Sequence, residues 1–324
     1  MAWFDGFERR ALTIQGLPVA CRQSSDWAAQ AHLPVLVLLH GFPQTHVMWH
    51  RVAQLLRGRY RLVIPDLRGY GDSSHERGDA EHAHYSKRAM AQEVIGLLDA
   101  LGVSDFYLCG HDRGGRVAHR LALDHAARVK KLCVIDIAPT LDMYSGHWGK
   151  TPEVVGPVDD PYFAFAQAYY HWFHLTQAAP LPELMIGGNP KAYLHAKLGG
   201  WGSQGLGYIE PEALAEYERA FCNPALNAQG WSAAIHSAAE DYRASAGIDL
   251  QHDRESRAKA HKIACDTLVL WGERGVVNRM FKPLELWQAQ CAGQVTGQVM
   301  PAGHFIPEEL PGATCEALSQ FFPA

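Results

Sequence analysis

Long apolar runs are missing from this sequence. The longest, Leu33 to Leu39, is interrupted by Pro34 and is far too short to span a bilayer, so no membrane is expected as a partner. Cysteine is scarce and unpatterned. Seven residues, an odd number without a C-x-x-C pair, exclude a disulfide framework and the spacing of a structural zinc site. Cys109 and Cys133 fall in apolar stretches, where a free thiol behaves as a small hydrophobe. An excess of positive charge is missing too. With 29 Lys and Arg against 34 Asp and Glu the formal charge is -5, and no basic stripe stands out, which argues against nucleic acid. Asp5, Glu8, Arg9 and Arg10 occupy the N-terminus where a secretory signal would place its apolar core. Together with the free thiols this points to a reduced, cytoplasmic protein. Internal repeats and low-complexity tracts are absent. What remains is a chain of 324 residues, 48 % hydrophobic and 19 % charged, ample for a sizeable core.

The chain has two textures. Pro34 to His40 (PVLVLLH), Arg61 to Pro65 (RLVIP), Phe106 to Cys109 (FYLC), Leu132 to Ile137 (LCVIDI) and Thr267 to Trp271 (TLVLW) are apolar runs of strand length. Such runs belong to strands covered on both faces of a mostly parallel sheet. Helix-like stretches at 48–56, 85–101 and 116–127 alternate with them, which indicates an α/β doubly wound arrangement. Residues 11 to 22 read as an opening hairpin around Gly16. The alternation stops near residue 140. From there to about 261 the chain is aromatic, helical and rich in Pro and Gly, with helices expected at 163–175, 192–198, 211–221 and 231–244. The sheet then resumes, with a helix at 282–289, a last strand at 297–300 and a closing helix at 311–322. The expected organisation is therefore a core over 1–139 and 262–324, split by a helical cap over 140–261.

One further absence carries chemistry. Between the strand 106–109 and the helix from 116 lies Gly110-His111-Asp112-Arg113-Gly114, a G-x-D-x-G turn in which the serine of the usual nucleophile elbow is replaced by Asp112. An aspartate there attacks carbon and forms an enzyme ester, which suits displacement at a saturated carbon, whereas serine suits acyl transfer. Hydrolysing that ester calls for a general base, and His304, in the small-residue turn after the last strand, is the candidate. Its acidic partner is expected at Asp136, at the end of the strand 132–137. Glu273 is the alternative, in the Gly272-Glu273-Arg274-Gly275 loop where many such enzymes place their acid. Phe42, in His40-Gly41-Phe42-Pro43, and Arg113 would supply oxyanion-hole N–H groups. Arg113 and Arg116, three apart at the start of one helix, can clamp a substrate carboxylate and offset its repulsion from Asp112. The substrate expected is thus a small anion, and the chemistry needs neither metal nor organic cofactor.

HGFPQTHVMWHRVA (40 to 53), DLRGYGDS (66 to 73), GHDRGGR (110 to 116), AYYHWF (168 to 173), APLPE (179 to 183), EDYRA (240 to 244) and AGHFIPEE (302 to 309) resemble the fluoroacetate, or haloacetate, dehalogenases. The resemblance implies the α/β-hydrolase fold, a mostly parallel eight-stranded sheet flanked by helices with an inserted helical cap. It implies hydrolysis of a short 2-haloacid, a halide pocket of His171, Trp172 and Tyr242, and a homodimer. Trp201 matches a further pocket position. His147-Trp148 repeats the His-Trp dipeptide without helical neighbours, and the 141–158 segment departs from the family pattern. Epoxide hydrolases share Asp112, His304 and HGFP, and Tyr169, Tyr170, Tyr208 and Tyr242 could serve that chemistry. A hydrolase-fold protein that only binds a ligand is the third reading.

Overall fold

The computed structural model describes residues 3–146, 160–223 and 231–324. Eight strands form one sheet: β1 (Phe7–Ile14), β2 (Leu17–Ser24), β3 (Val35–Leu39), β4 (Arg61–Pro65), β5 (Phe106–His111), β6 (Val129–Ile135), β7 (Asp266–Gly272) and β8 (Val295–Met300). Their order is β1-β2-β4-β3-β5-β6-β7-β8. β1 and β2 form an antiparallel hairpin closed by Gln15 and Gly16, both at positive φ, the two-residue turn whose twist matches that of strands. From β4 to β8 every pairing is parallel. All five residues of β3 are buried, because helices cover both faces of the sheet there.

The parallel register sets the carboxyl ends of β3, β5, β6 and β8 along one edge, where an open α/β sheet places its ligands. Phe42 follows β3, Asp112 follows β5, Asp136 follows β6 and His304 follows β8. The helix Arg113–Asp124 starts directly after Asp112, and its first eleven residues are all buried. It therefore carries Arg113 and Arg116 inside the molecule rather than on a solvated face.

Between β6 and β7 the chain leaves the sheet for helices at Thr140–Ser145, Pro161–Ala168, Tyr170–Leu175, Leu181–Gly187, Pro190–Leu198, Pro211–Cys222, Ala233–Ala246 and Ile248–Ala258. Their starts are written locally. The side chains of Asp160, Asn189 and Ser232 accept from the N–H of Phe163, Ala192 and Ala234, and Pro161 and Pro190 stand at first helical positions. Two differences from the sequence reading have physical causes. The expected helix 163–175 is two helices, broken at Tyr169, whose φ of -111° and ψ of 26° leave the helical range. The helix Ile248–Ala258 was not expected, because its inward positions are charged. Asp253 meets Arg120 at 2.6 Å and Asp249 meets Lys87 at 3.6 Å, so apolar periodicity is silent there. Among the described residues no helix is long and apolar enough to cross a membrane.

Candidate active site

Asp112 occupies a strained backbone conformation, φ 48° and ψ -115°, at the junction of β5 and its helix. Three contacts hold it there. Its N–H donates to the Ile135 carbonyl at 3.0 Å, its carbonyl accepts from Arg116 N–H at 3.2 Å, and its Oδ1 accepts from Phe42 N–H at 2.9 Å. A Cβ on Gly41 would stand 2.5 Å from the Asp112 Cβ, so only glycine lets the 40–43 loop approach so closely. Burial favours the acid form of Asp112. The charges of His304 and Arg113 and the Phe42 N–H outweigh it, and the carboxyl titrates below its ordinary range.

His304 and Asp136 meet at 2.5 Å through Nδ1 and Oδ2. Asp136 is fully buried, sits at φ 48°, and accepts a second bond from Gly272 N–H at 2.9 Å. Gly275 is what makes room for it: a Cβ there would lie 3.2 Å from Asp136 Oδ1. Glu273 is exposed, and the imidazole is turned to Asp136 instead. The other nitrogen, Nε2, lies 4.0 Å from Asp112 Oδ2 and has no hydrogen-bond partner among the described residues. Burial disfavours the charged imidazole, but the bond to Asp136 and the charges of Asp136 and Asp112 raise its pKa above the ordinary range. His111 Nε2 donates to the His304 carbonyl at 2.9 Å, and burial pushes its pKa down to about 3, so it is a neutral prop beneath the loop.

The two arginines differ sharply. Arg113 gives Nε and Nη2 to the two carboxylate oxygens of Asp241, at 3.0 and 2.5 Å, and Nη2 also reaches Ser245 Oγ at 2.6 Å. Lys87 Nζ bonds the same carboxylate, and Tyr70 donates to it at 2.7 Å. Lys87 and Arg113 are thus matched by Asp241 and Asp249. Among the described residues only Nη1 of Arg113 is without a partner. Arg116 is matched by nothing comparable. It is 3 % exposed, its Nη2 lies 3.2 Å from the Met143 sulfur, and its Nε and Nη1 have no partner among the described residues. Its guanidinium stands 5.1 Å from the Trp172 ring, and burial and the neighbouring Arg113 both weaken its hold on the proton. In the ligand-free protein the fork of Arg113 is thus committed to Asp241, while two nitrogens of Arg116 have no partner among the described residues.

His171, Trp172 and Tyr242 gather above Asp112. His171 lies parallel to Phe42 at 6.4 Å and meets Tyr242 at 5.6 Å. Burial first, then the charges of Lys197 and Arg113, hold His171 well below its usual pKa, so it is a neutral ring. A cavity of about 20 Å³ opens over Asp112 and His304, walled by Tyr169, His171, Trp172, Trp201 and Val276. That is room for one water-sized body. His147 and Trp148 lie outside the described residues. Several contributors were not singled out from sequence. Asp241 and Lys87 anchor Arg113. Tyr144, stacked 4.7 Å from Trp172, buries a hydroxyl that has no partner among the described residues. The EDYRA motif held the signal for Asp241, beside Tyr242. Among the described residues no group of three or more His, Cys, Asp or Glu could hold a metal ion.

Residues 34–311 match the family described as alpha/beta hydrolase fold. The chain is 39 % identical to a fluoroacetate dehalogenase of Burkholderia sp over 318 residues, covering 98 % of this chain and 94 % of that one. It is 28 % identical to a soluble epoxide hydrolase of Corynebacterium sp. (strain C12), over 89 % of each chain. The crystal structure of a Nostoc sp PCC 7120 protein described as an alpha/beta hydrolase superposes with a TM-score of 0.86 at 45 % identity, covering 98 % of both chains. The chain belongs to the fluoroacetate dehalogenase family of the α/β hydrolases.

Proposed function

We propose that this enzyme hydrolyses short 2-haloacids such as chloroacetate or fluoroacetate, releasing halide and the 2-hydroxyacid through an ester on Asp112. The observation that carries this reading is Arg116, a buried guanidinium beside the nucleophile with two nitrogens unused. A desolvated cation without a counter-ion is a costly arrangement, which a bound carboxylate relieves. The Asp112 carboxylate then faces the halogen-bearing carbon, its Oδ1 held by Phe42 N–H. His171, Trp172 and Tyr242 offer neutral N–H and O–H donors to the departing halide once water is excluded.

The ester's second step falls to His304. With Nδ1 on Asp136, its Nε2 takes a proton from water, which attacks the Asp112 ester carbonyl. The Phe42 N–H, joined by that of Arg113, holds the oxyanion that forms on the ester oxygen. The Phe42 donor precedes the ester, since it already binds the same oxygen in the free enzyme. The exposed apolar residues of the inserted helices, Tyr162, Phe163, Phe173, Leu181, Leu184 and Met185, support a homodimer formed through these helices. Halide release from chloroacetate and fluoroacetate, read by ion electrode, tests the reading, and folded protein that releases none from either would sink it. The likeness to a soluble epoxide hydrolase and the buried Tyr169 in the cavity wall favour epoxide opening as the second reading. Styrene oxide turnover above that of every haloacid would select it.

A further inference from the structure

Outside the catalytic cavity a groove of about 520 Å³ runs between the inserted helices and the core, walled by Tyr170, Lys197 and Trp201 on one side and Val276, Arg279 and Met280 on the other. Trp201 and Val276 also wall the cavity over Asp112, so a single layer of side chains divides the two spaces. Trp201 touches the chemistry on its inner side, with ring centroids 5.1 Å from His304 and 4.9 Å from His171. On its outer side it lies 5.3 Å from Lys197 Nζ.

Lys197 is the anomaly of this region. It is 4 % exposed, yet no carboxylate lies within ion-pair distance of it among the described residues. Its ammonium stands 3.7 Å over the Tyr170 ring and 5.4 Å from Tyr193, so aromatic faces are its company. Burial pushes its pKa down to about 7, as expected of a lysine that nothing neutralises. The groove walls hold a second cation, Arg279, and no Asp or Glu.

We propose that this groove is the anion port of the active site, with Lys197 as the group that holds a small monovalent anion against the Trp201–Val276 partition. The inference rests on the haloacid reading and follows its charge balance. One haloacetate anion and one water become one hydroxyacetate anion, one halide ion and one proton. The cavity therefore admits one anion and discharges two per turnover. The halide donors inside are neutral, and Arg113 is committed to Asp241. On the outer side of the partition Lys197 and Arg279 are the cations lining the groove, and Lys197, the one set against Trp201, has no carboxylate among the described residues and can take an anion.

Iodide quenching of tryptophan fluorescence tests this on the intact protein. Wild type should show a saturable iodide component, because Trp201 lies beside Lys197. Lys197→Met should weaken that component about tenfold or more, while quenching by neutral acrylamide stays the same. Lys197→Arg should retain it, which separates loss of charge from damage to the fold, and Trp201→Phe should remove the signal. Displacement of iodide by acetate assigns the site to the incoming carboxylate, and displacement by chloride alone assigns it to the outgoing halide. Displacement by neither, or identical iodide quenching in wild type and Lys197→Met, overturns the port. Absence of halide release from chloroacetate would strike the haloacid reading and leave the quenching result standing on its own.

Discussion

Replacing Arg116 with methionine should make the protein more stable and nearly useless to a haloacid. The two effects share one cause. Arg116 is buried with Nε and Nη1 unpartnered, so the free protein bears the desolvation of a charge without a compensating ion. Exchanging such a charge for an apolar side chain of similar length should stabilise by about 1–3 kcal/mol. Against that stands the loss of the cation–π contact with Trp172, worth about 1 kcal/mol. The net should be a Tm higher by a few degrees, at roughly 2–4 °C per kcal/mol. With substrate the sign reverses. Losing a charged hydrogen-bond pair to a carboxylate in a closed site costs about 2–5 kcal/mol, or roughly 30- to 5,000-fold in kcat/KM. Chloroacetamide, neutral and of the same size, should lose far less. Arg113→Met is the control, because it removes one of the two cations paired with the buried Asp241 and should destabilise by about 3–5 kcal/mol. Thermal melts of both variants and halide release from chloroacetate and chloroacetamide decide the matter. A Tm drop in Arg116→Met matching that of Arg113→Met, or equal losses on the two substrates, would refute the reasoning.

The half-reactions should separate. Asp112→Ala should abolish halide release, whereas His304→Asn should release one equivalent and stall with a carboxymethyl ester on Asp112, visible by intact-protein mass spectrometry; an unmodified mass with full turnover would remove His304 from the role of base. Because the pKa of His304 is raised and the base must be neutral, steady-state turnover should climb with pH through a value above 6.5. The single-turnover burst needs only ionised Asp112, whose pKa is lowered, and should be flat from about pH 6 to 9; superimposable profiles would contradict the assignment. Glu308 is fully buried between Gln44 and Tyr217, and burial pushes its pKa from 4.5 up to about 8. Its folded form holds the proton more tightly than the unfolded chain, so its contribution is complete below 4.5 and is lost as pH rises through 8. Glu308→Gln should flatten that decline in a Tm series from acid to alkaline pH, and an unchanged slope would show that Glu308 is already ionised at neutrality.

What could be read from the sequence is what is local. The elbow depends on glycines and one acid within a few residues, and the buried strands are short apolar runs, so motif and period both speak. The helices expected from 163 and 192 begin two residues earlier, at Pro161 and Pro190, where the caps Asp160 and Asn189 settle the start within one turn. The helix Ile248–Ala258 was silent because its inward residues are charges satisfied from elsewhere in the fold, Asp253 by Arg120 and Asp249 by Lys87.

The inequality of Arg113 and Arg116 belongs to the same class of fact. In sequence they are twins, three apart on one helix, and either could serve a carboxylate. What separates them is Asp241, 128 residues beyond Arg113 and delivered by the inserted helix Ala233–Ala246, together with Lys87 from the core. That helix also brings Tyr242, whose ring lies 4.1 Å from the Arg113 guanidinium. One turn of the insertion thus neutralises and fixes the first arginine and places an aromatic wall beside it. The second arginine keeps a bare charge because the same turn does not reach it. A site selective for an anion requires this asymmetry: two paired arginines would present no net charge to a carboxylate, and two unpaired ones would burden the fold with both desolvation penalties. Under the proposed haloacid reading, pairing one and baring the other would give the carboxylate a positioned cation, and that difference is made in the tertiary structure rather than in the motif.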